Sequence, residues 1–372
     1  MIHFRKISQQ QFLNEYWQKK PLLIKQALPD FVSPITPDEL AGLSLEEEFE
    51  SRLITGSINS KKWSLRNGPF VEQDFLATHR HPSLHQKNWT LLVQGVDRHI
   101  DAVHNLITEF DFIPRWRFDD VMISYAATGG SVGPHFDYYD VFLLQGKGKR
   151  RWHLSRQDCE LSNYLEDAPL RIMNKFNAEQ VFDVEPGDIL YIPPKVAHHG
   201  VSLDNDCITL SFGYRAYSAQ ELFEFINKPC PKHLSQSYYQ DPQWRNTKQP
   251  ALIPNSAIQQ AQTLLEIDAV SVAKFVTKLD TMDRQNLQLF EYDNQNEDFN
   301  SHGNYQLHSV CKVAYLQKKK NSVQVFVNGE EIKFNGINNK ALMDFCNKRK
   351  VNPLNQLELA KQLFAQNLIL LI

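Results

Sequence analysis

Close cysteine pairs are missing from this chain of 372 residues: Cys159, Cys207, Cys230, Cys311 and Cys346 are its five, and they are scattered. That spacing excludes a disulfide framework and a zinc knuckle, and it fits a reducing compartment. No apolar run approaches the roughly 18 residues a membrane helix needs. The opening MIHFRKISQQ has charge but no apolar core of a secretory signal, and the closing LILLI is too short to span and reads as a terminal strand. A cytoplasmic protein without a membrane segment is expected. Neither charge sign dominates, since 40 Lys and Arg stand against 43 Asp and Glu for a formal net charge of -3. A global basic field that would collect nucleic acid is thereby excluded, and any such contact has to be local. What is present is the 42% hydrophobic and 22% charged content of an ordinary globular protein, long enough for two domains or one large domain with appendages.

Along the chain, Phe12, Leu13, Tyr16 and Trp17 recur at helical spacing from Gln9 to Gln18, and PLLIKQA then reads as a strand. Thr36 and Pro37 supply an N-cap and a first-turn proline for a short helix through Leu43. SRLITGS, KKWSL and NWTLLVQG read as strands, and Val96 to Phe110 as one helix. From Trp116 the pattern is dense β: VMISYAA, the GPHFD stretch, VFLLQG, KRRWHL, QVFDVE, DILYIPP, HHGVSL and CITLSFGYRA. Many short strands at near-regular spacing predict a sandwich or barrel, with EPGDILYIPP as a hairpin of the double-sheet jelly-roll kind. Helix returns near Tyr217. A Pro- and Gln-rich connection, CPKHLSQSYYQDPQWRNTKQP, follows. From Asn255 one apolar stripe (Ile258, Ala261, Leu265, Val272, Phe275, Val276, Leu279) is expected either to pack on the barrel or, as a helix pair, to form a dimer interface. The polar run DNQNEDFNSHG sets off a last unit. In it, a hairpin turning at Asn328 and Gly329, two helices and the terminal strand resemble a small winged-helix module. Its basic run, Lys318 to Lys320, is of the kind usually solvated, and nucleic-acid contact is not expected. The expected organisation is a mainly β catalytic domain, a double-stranded β-helix or jelly roll, over 1–215. A helical dimerisation region follows over 216–290, and a C-terminal winged-helix-like α+β domain over 291–372.

The chemistry concentrates in GPHFDYYD. His135 and Asp137 sit two apart in a stretch that reads as strand, so both leave one face and can grip one cation. Alone, such a pair is weak evidence, because two such residues commonly hydrogen-bond to neighbours. A third ligand is offered by PPKVAHHG, as His198 or His199. Strand parity puts His198, Gly200 and Ser202 on one face and His199, Val201 and Leu203 on the other. The face with a bare glycine, giving a substrate room, favours His198 and leaves His199 a structural residue or one that orients the ligand. Two histidines and a carboxylate with open positions opposite are the arrangement of non-haem Fe(II) oxygenases. In KGKRRWHL the same parity turns Arg150 inward with Trp152 and Leu154. A buried guanidinium needs an anion. Either a dicarboxylate cosubstrate meets it bidentately, with Ser124 adding a hydrogen bond, or it forms a salt bridge with an acid elsewhere in the chain.

The motif G-x-x-GPHFDYYDVFLLQGKGKRRWHL followed by EPGDILYIPPKVAHHG, together with the opening FLNEYWQKKPLLIKQALPDF, resembles the JmjC-type cupin ribosomal oxygenases. The resemblance is specific over about the first 215 residues. It implies a protein hydroxylase dependent on Fe(II), 2-oxoglutarate and O2, similar to bacterial enzymes that hydroxylate the β-carbon of an arginine in a large-subunit ribosomal protein. It places the metal triad on His135, Asp137 and His198 and the cosubstrate-binding basic residue on Arg150. One departure is the doubled histidine, where family members usually show one. A cationic substrate would want acids or aromatic faces, for which Tyr138, Tyr139, Asp140, Asp119 and Asp120 are candidates. The competing readings are a JmjC-type lysine demethylase, which shares the iron site, a cupin kept as a binding module without turnover, and a winged-helix regulator with a sensory barrel.

Overall fold

A computed structural model describes residues 2–58, 62–75, 87–245, 248–293, 298–318 and 322–372. Parts of five stretches read above therefore lie outside the described residues: Met1 of the opening, Lys61 of KKWSL, 246–247 of the Pro- and Gln-rich connection, 294–297 of the polar run, and Lys319 and Lys320 of the basic run. The chain divides into two compact units, the first of 1–109 and 118–215, the second of 110–117 and 216–372.

In the first unit, Ser8 caps α1 (Gln9–Glu15), which buries Phe12 and Leu13. Strand β1 (Leu22–Ile24) comes next. Thr36 and Glu39 close a capping box on α2 (Pro37–Leu43), satisfying two otherwise unpaired N–H groups. Strands β2 (Ser51–Ser57) and β3 (Lys62–Asn67), helix α3 (Glu72–Phe75) and β4 (Trp89–Val93) follow. The single helix expected over Val96 to Phe110 is broken into a 3-10 turn (Val96–Arg98), α4 (Asp101–Leu106) and a second 3-10 turn (Ile107–Phe110). Ile100 stays extended at the break, and just before it the buried Asp97 accepts the backbone N–H of Val121 at 2.7 Å, so a tertiary bond overrides the helical period.

The core is built from β5 (Val121–Ala126), β6 (Asp140–Lys147), β7 (Arg150–Ser155), β8 (Gln180–Val184), β9 (Ile189–Ile192), β10 (Ala197–Ser202) and β11 (Cys207–Tyr214). An eight-stranded antiparallel sheet, ordered β1-β9-β6-β11-β5-β4-β2-β3, is accompanied by a three-stranded sheet, β10-β7-β8. Apolar side chains of both sheets, among them Leu143, Trp152, Leu154 and Leu190, share one core cluster. Strand β6 is buried on both faces, which is why it reads as a nearly continuous apolar run. Its other face meets the aromatic residues of the N-terminal segment, with Phe12 5.7 Å from Phe142 and 4.9 Å from Tyr191 between ring centroids. Truncating Phe12 to alanine would cost about 3–5 kcal/mol by the usual cavity penalty. EPGD is not a hairpin: β8 and β9 lie in different sheets, and Gly187, at φ +85°, turns the corner between them.

The second unit holds α5 (Ala219–Phe225), α6 (Asn255–Gln262), α7 (Ala269–Thr277) and α8 (Thr281–Asp293). Two helices carry the apolar stripe, because Asp268 takes an extended conformation and caps α7 through Ser271 N–H at 2.7 Å. Ala261, Val272 and Phe275 pack inward with Tyr217 and Tyr239. The Pro- and Gln-rich stretch is more than a surface connection, since it places Tyr239 and Trp244 in the interior. A buried Arg117–Asp241 pair, 2.7 Å apart, ties residues 110–117 into this unit. Then come β12 (Tyr305–Leu307), β13 (Val313–Gln317), β14 (Val323–Val327), β15 (Glu330–Ile332), α9 (Asn339–Lys348), β16 (Lys350–Val351), α10 (Pro353–Phe364) and β17 (Ile369–Leu371). The β14–β15 hairpin turns at Asn328 and Gly329, both with positive φ, as a tight two-residue turn requires.

Candidate metal and cosubstrate site

GPHFDYYD is not a regular strand. Gly133 takes φ +81° and Pro134 has no N–H, so pairing reduces to a single bridge between His135 and His198. The extended path survives through mutual bonds of that bridge, His135 N–H to His198 O at 3.1 Å and His198 N–H to His135 O at 2.8 Å, and through Lys195 N–H to Asp137 O at 2.7 Å. These bonds bring the three predicted residues together. Asp137 Oδ2 lies 3.8 Å from His135 Nε2 and 3.7 Å from His198 Nε2, and one ligand atom of each residue lies within 4.8 Å of the others.

Each histidine is oriented by its own backbone. His135 Nδ1 is 3.0 Å from Gly133 O and His198 Nδ1 is 3.1 Å from Val196 O. Nδ1–H donates to those carbonyls, which leaves both Nε2 lone pairs facing the cluster. Burial, helped by neighbouring His135, pushes His198 down to about 4, so it is neutral and ready to ligate near pH 7. His199 is turned away. Its ring stacks 5.7 Å from His153 and meets Phe176 edge-on, and burial followed by His153 also lowers it to about 4. The parity argument picks the histidine that stands with His135 and Asp137, but Gly200 gives room to Trp152, whose ring would stand 2.6 Å from an added Cβ, rather than to a substrate.

A cavity of about 320 Å³ adjoins the trio, with His135, Asp137 and His198 in its wall. Arg150 and Ser124 line it too, both buried. No acid among the described residues claims Arg150: its Nε reaches Cys207 Sγ at 3.4 Å, its guanidinium lies 5.6 Å from the Trp152 ring, and its buried Nη2 has no partner there. A buried cation with an unpaired N–H donor on a cavity wall fits a carboxylate ligand, just as two imidazole Nε2 atoms and a carboxylate fit a divalent metal.

Strand β11 lends Thr209, Ser211 and Gly213 to the cavity wall. Cys207 sits beside Arg150, while Gly213 N–H donates to Asp120 O at 3.0 Å; six residues of strand separate the two ends by about 20 Å. At the far end Asp119 and Asp120 are both in the wall. Asp120 accepts from Gln94 Nε2 at 2.6 Å and Gly95 N–H at 3.0 Å, and burial, then Asp119 and Asp97, pushes its carboxyl up to about 7. Tyr139 also lines the cavity. It keeps 37% of its surface exposed, but its hydroxyl is buried beside Asp137, with which it hydrogen-bonds, and its pKa rises well above the ordinary value. Tyr138 is not in the wall. Its ring lies 5.7 Å from Phe136 and under Lys195. Asp140 is corrected outright: fully buried, it accepts from Tyr191 Oη at 2.5 Å and Gln18 Nε2 at 3.0 Å, which makes it an anchor for the N-terminal segment. Trp152, which the sequence turns inward with Arg150, is in the wall without having been given a site role, and Gln94 and Arg52 were overlooked because they carry no local signal.

Paired antiparallel sheets with this trio between them define a cupin of the JmjC class. The family description "JmjC domain" matches residues 105–222. A curated relative, "Ribosomal protein uL16 3-hydroxylase" of Escherichia coli (strain K12), is 38% identical over 258 residues, 69% of this chain and 66% of its own length. The "Probable ribosomal oxygenase" of Haemophilus influenzae is 40% identical over 219 residues, 58% of this chain and 52% of its own. The chain thus spans just under two thirds and about half of these relatives. A solved structure titled as YcfD, a ribosomal oxygenase from Escherichia coli, in complex with cobalt and 2-oxoglutarate superposes with TM-score 0.67 at 27% identity, covering 98% of each chain. The chain belongs to the JmjC ribosomal oxygenase family. No helix among the described residues is long and apolar enough to cross a membrane.

Proposed function

We propose that this chain is a 2-oxoglutarate- and Fe(II)-dependent protein hydroxylase that places a hydroxyl on the β-carbon of an arginyl residue in a large-subunit ribosomal protein. The observation that carries the reading is the pairing of a two-histidine, one-carboxylate trio with an unclaimed buried arginine on one cavity wall. His135, Asp137 and His198 would hold the metal. Arg150, with Ser124, would take the far carboxylate of 2-oxoglutarate. When bound, Fe(II) with 2-oxoglutarate and O2 supplies oxidative decarboxylation to succinate and carbon dioxide and transfers one oxygen atom to a C–H bond.

The protein's own part is positioning. Backbone carbonyls fix both imidazoles, Tyr139 steadies Asp137 by its hydroxyl, and Trp152 walls the cavity beside Arg150. Asp119, Asp120 and the Tyr139 ring suit a guanidinium, which a carboxylate pair and an aromatic face attract. Binding a cation there would draw the Asp120 proton off, since its raised pKa comes from burial and like charge.

The reading includes work in the cytoplasm and a homodimer formed through 216–290, with 1–215 catalytic and 291–372 a winged-helix-like module. Because α6 and α7 already turn Ala261, Val272 and Phe275 inward, self-association would use their outer faces, and sedimentation velocity tests it. The function is tested by mass spectrometry of ribosomal proteins incubated with the protein, Fe(II), 2-oxoglutarate and O2. A one-oxygen gain on an arginine, absent with His135→Ala, is expected. Formaldehyde release from a methylated lysine would instead support demethylation, and no modification of any ribosomal protein would sink the reading.

A further inference from the structure

Cys207 opens β11 and is fully buried beside Arg150. Arg150 Nε donates to its sulfur at 3.4 Å, and Gln145 Nε2 donates to the same sulfur at 3.3 Å. Gln145 is fixed in turn, because its Oε1 accepts from Thr209 Oγ1 at 3.0 Å and its Nε2 also reaches Lys147 O at 2.7 Å. The protein's partners for the guanidinium are thus a thiol and the Trp152 face, both uncharged, while Nη2 has none among the described residues.

A thiol sulfur accepts hydrogen bonds weakly and bears no formal charge. It can orient a guanidinium without cancelling it. We propose that Cys207 is a positioning residue for the anion subsite: it seats the Nε edge of Arg150 on a neutral acceptor, so the charge and the terminal nitrogens stay available to a dicarboxylate. The inference rests on the cosubstrate reading above. A carboxylate in the same place would satisfy Arg150 from inside the fold and compete with the ligand for the same charge. An amide of equal size would not.

The test compares Cys207→Asp with Cys207→Asn in the full chain, loaded with Mn(II) and free of oxygen, by calorimetric titration of 2-oxoglutarate. Circular dichroism and the Mn(II) affinity without 2-oxoglutarate report whether each variant keeps its fold and metal site. The aspartate variant should bind 2-oxoglutarate at least about thirtyfold more weakly than the asparagine variant, at equal Mn(II) affinity. Equal affinities would overturn the inference. Should the aspartate variant not fold, Cys207→Ala carries the test: a weakening of about threefold to tenfold supports it, and unchanged affinity overturns it. Failure of the native protein itself to bind 2-oxoglutarate would overturn the functional reading and this inference with it, whereas native binding with indifferent variants overturns only the role of Cys207.

Discussion

At one end of the cavity a single buried cation, Arg150, is surrounded by neutral groups; at the other, about 20 Å along β11, Asp119 and Asp120 crowd together with Asp97 behind them. The first end keeps its charge because no acid among the described residues pairs with it. The second relieves its charge by holding a proton, since the Asp120 carboxyl stands at about 7. Under the proposed reading one end takes an anion and the other a cation, although Arg52, which reaches Gln94 at 3.2 Å beside Asp120, and Arg215 share the cavity wall with the two acids.

The largest test of this contrast is at the metal trio. His198→Ala or Asp137→Ala should reduce hydroxylation to background and lower the iron stoichiometry measured by elemental analysis; retained turnover would mean that the cavity's polarity serves another purpose. Next comes the cationic end, where Arg150→Ala should raise the KM for 2-oxoglutarate by about a hundredfold with iron content unchanged. A KM that stays put would place the cosubstrate elsewhere.

At the acidic end, Asp120→Asn should raise the KM for the protein substrate by about tenfold and leave that for 2-oxoglutarate alone. It should also change the pH dependence of stability. The folded protein holds a proton on Asp120 that the unfolded chain has released between the ordinary carboxylate value and about 7. Its stabilising contribution is therefore full below the unfolded value and is lost as pH rises through the folded one. The melting temperature of the variant should accordingly gain on that of the native protein as pH is raised from about 4 to about 7, and parallel curves would refute a raised Asp120. The smallest effect belongs to His199→Gln, expected to cost about 1 kcal/mol in denaturant melts through lost packing on His153 and Phe176, with iron binding intact.

The meeting of His135, Asp137 and His198 and the inward turn of Arg150 were legible in the sequence, and the acidic end only in part, for a physical reason. His135 and Asp137, or Arg150 and Trp152, declare a shared face through spacing of two residues, and a short extended segment keeps that parity even where Gly133 and Pro134 prevent a ladder. Asp140 misled because its partner Tyr191 lies 51 residues further on, and no local pattern distinguishes an anchoring carboxylate from one facing a ligand. Gln94 and Asp120 meet only after β4 and β5 pair. The broken helices carry the same lesson, since the extended residues Ile100 and Asp268 obey bonds and caps that a periodic count cannot see.

The backbone carbonyls that hold the Nδ1 atoms of His135 and His198 have one more consequence. The fold itself aims both imidazoles, so a divalent ion taken up by the trio would meet nitrogen donors already in place, and its affinity would follow the order in which such ions favour nitrogen ligands. Under the proposed reading, ions later in that order than Fe(II), copper and zinc among them, would compete for the trio.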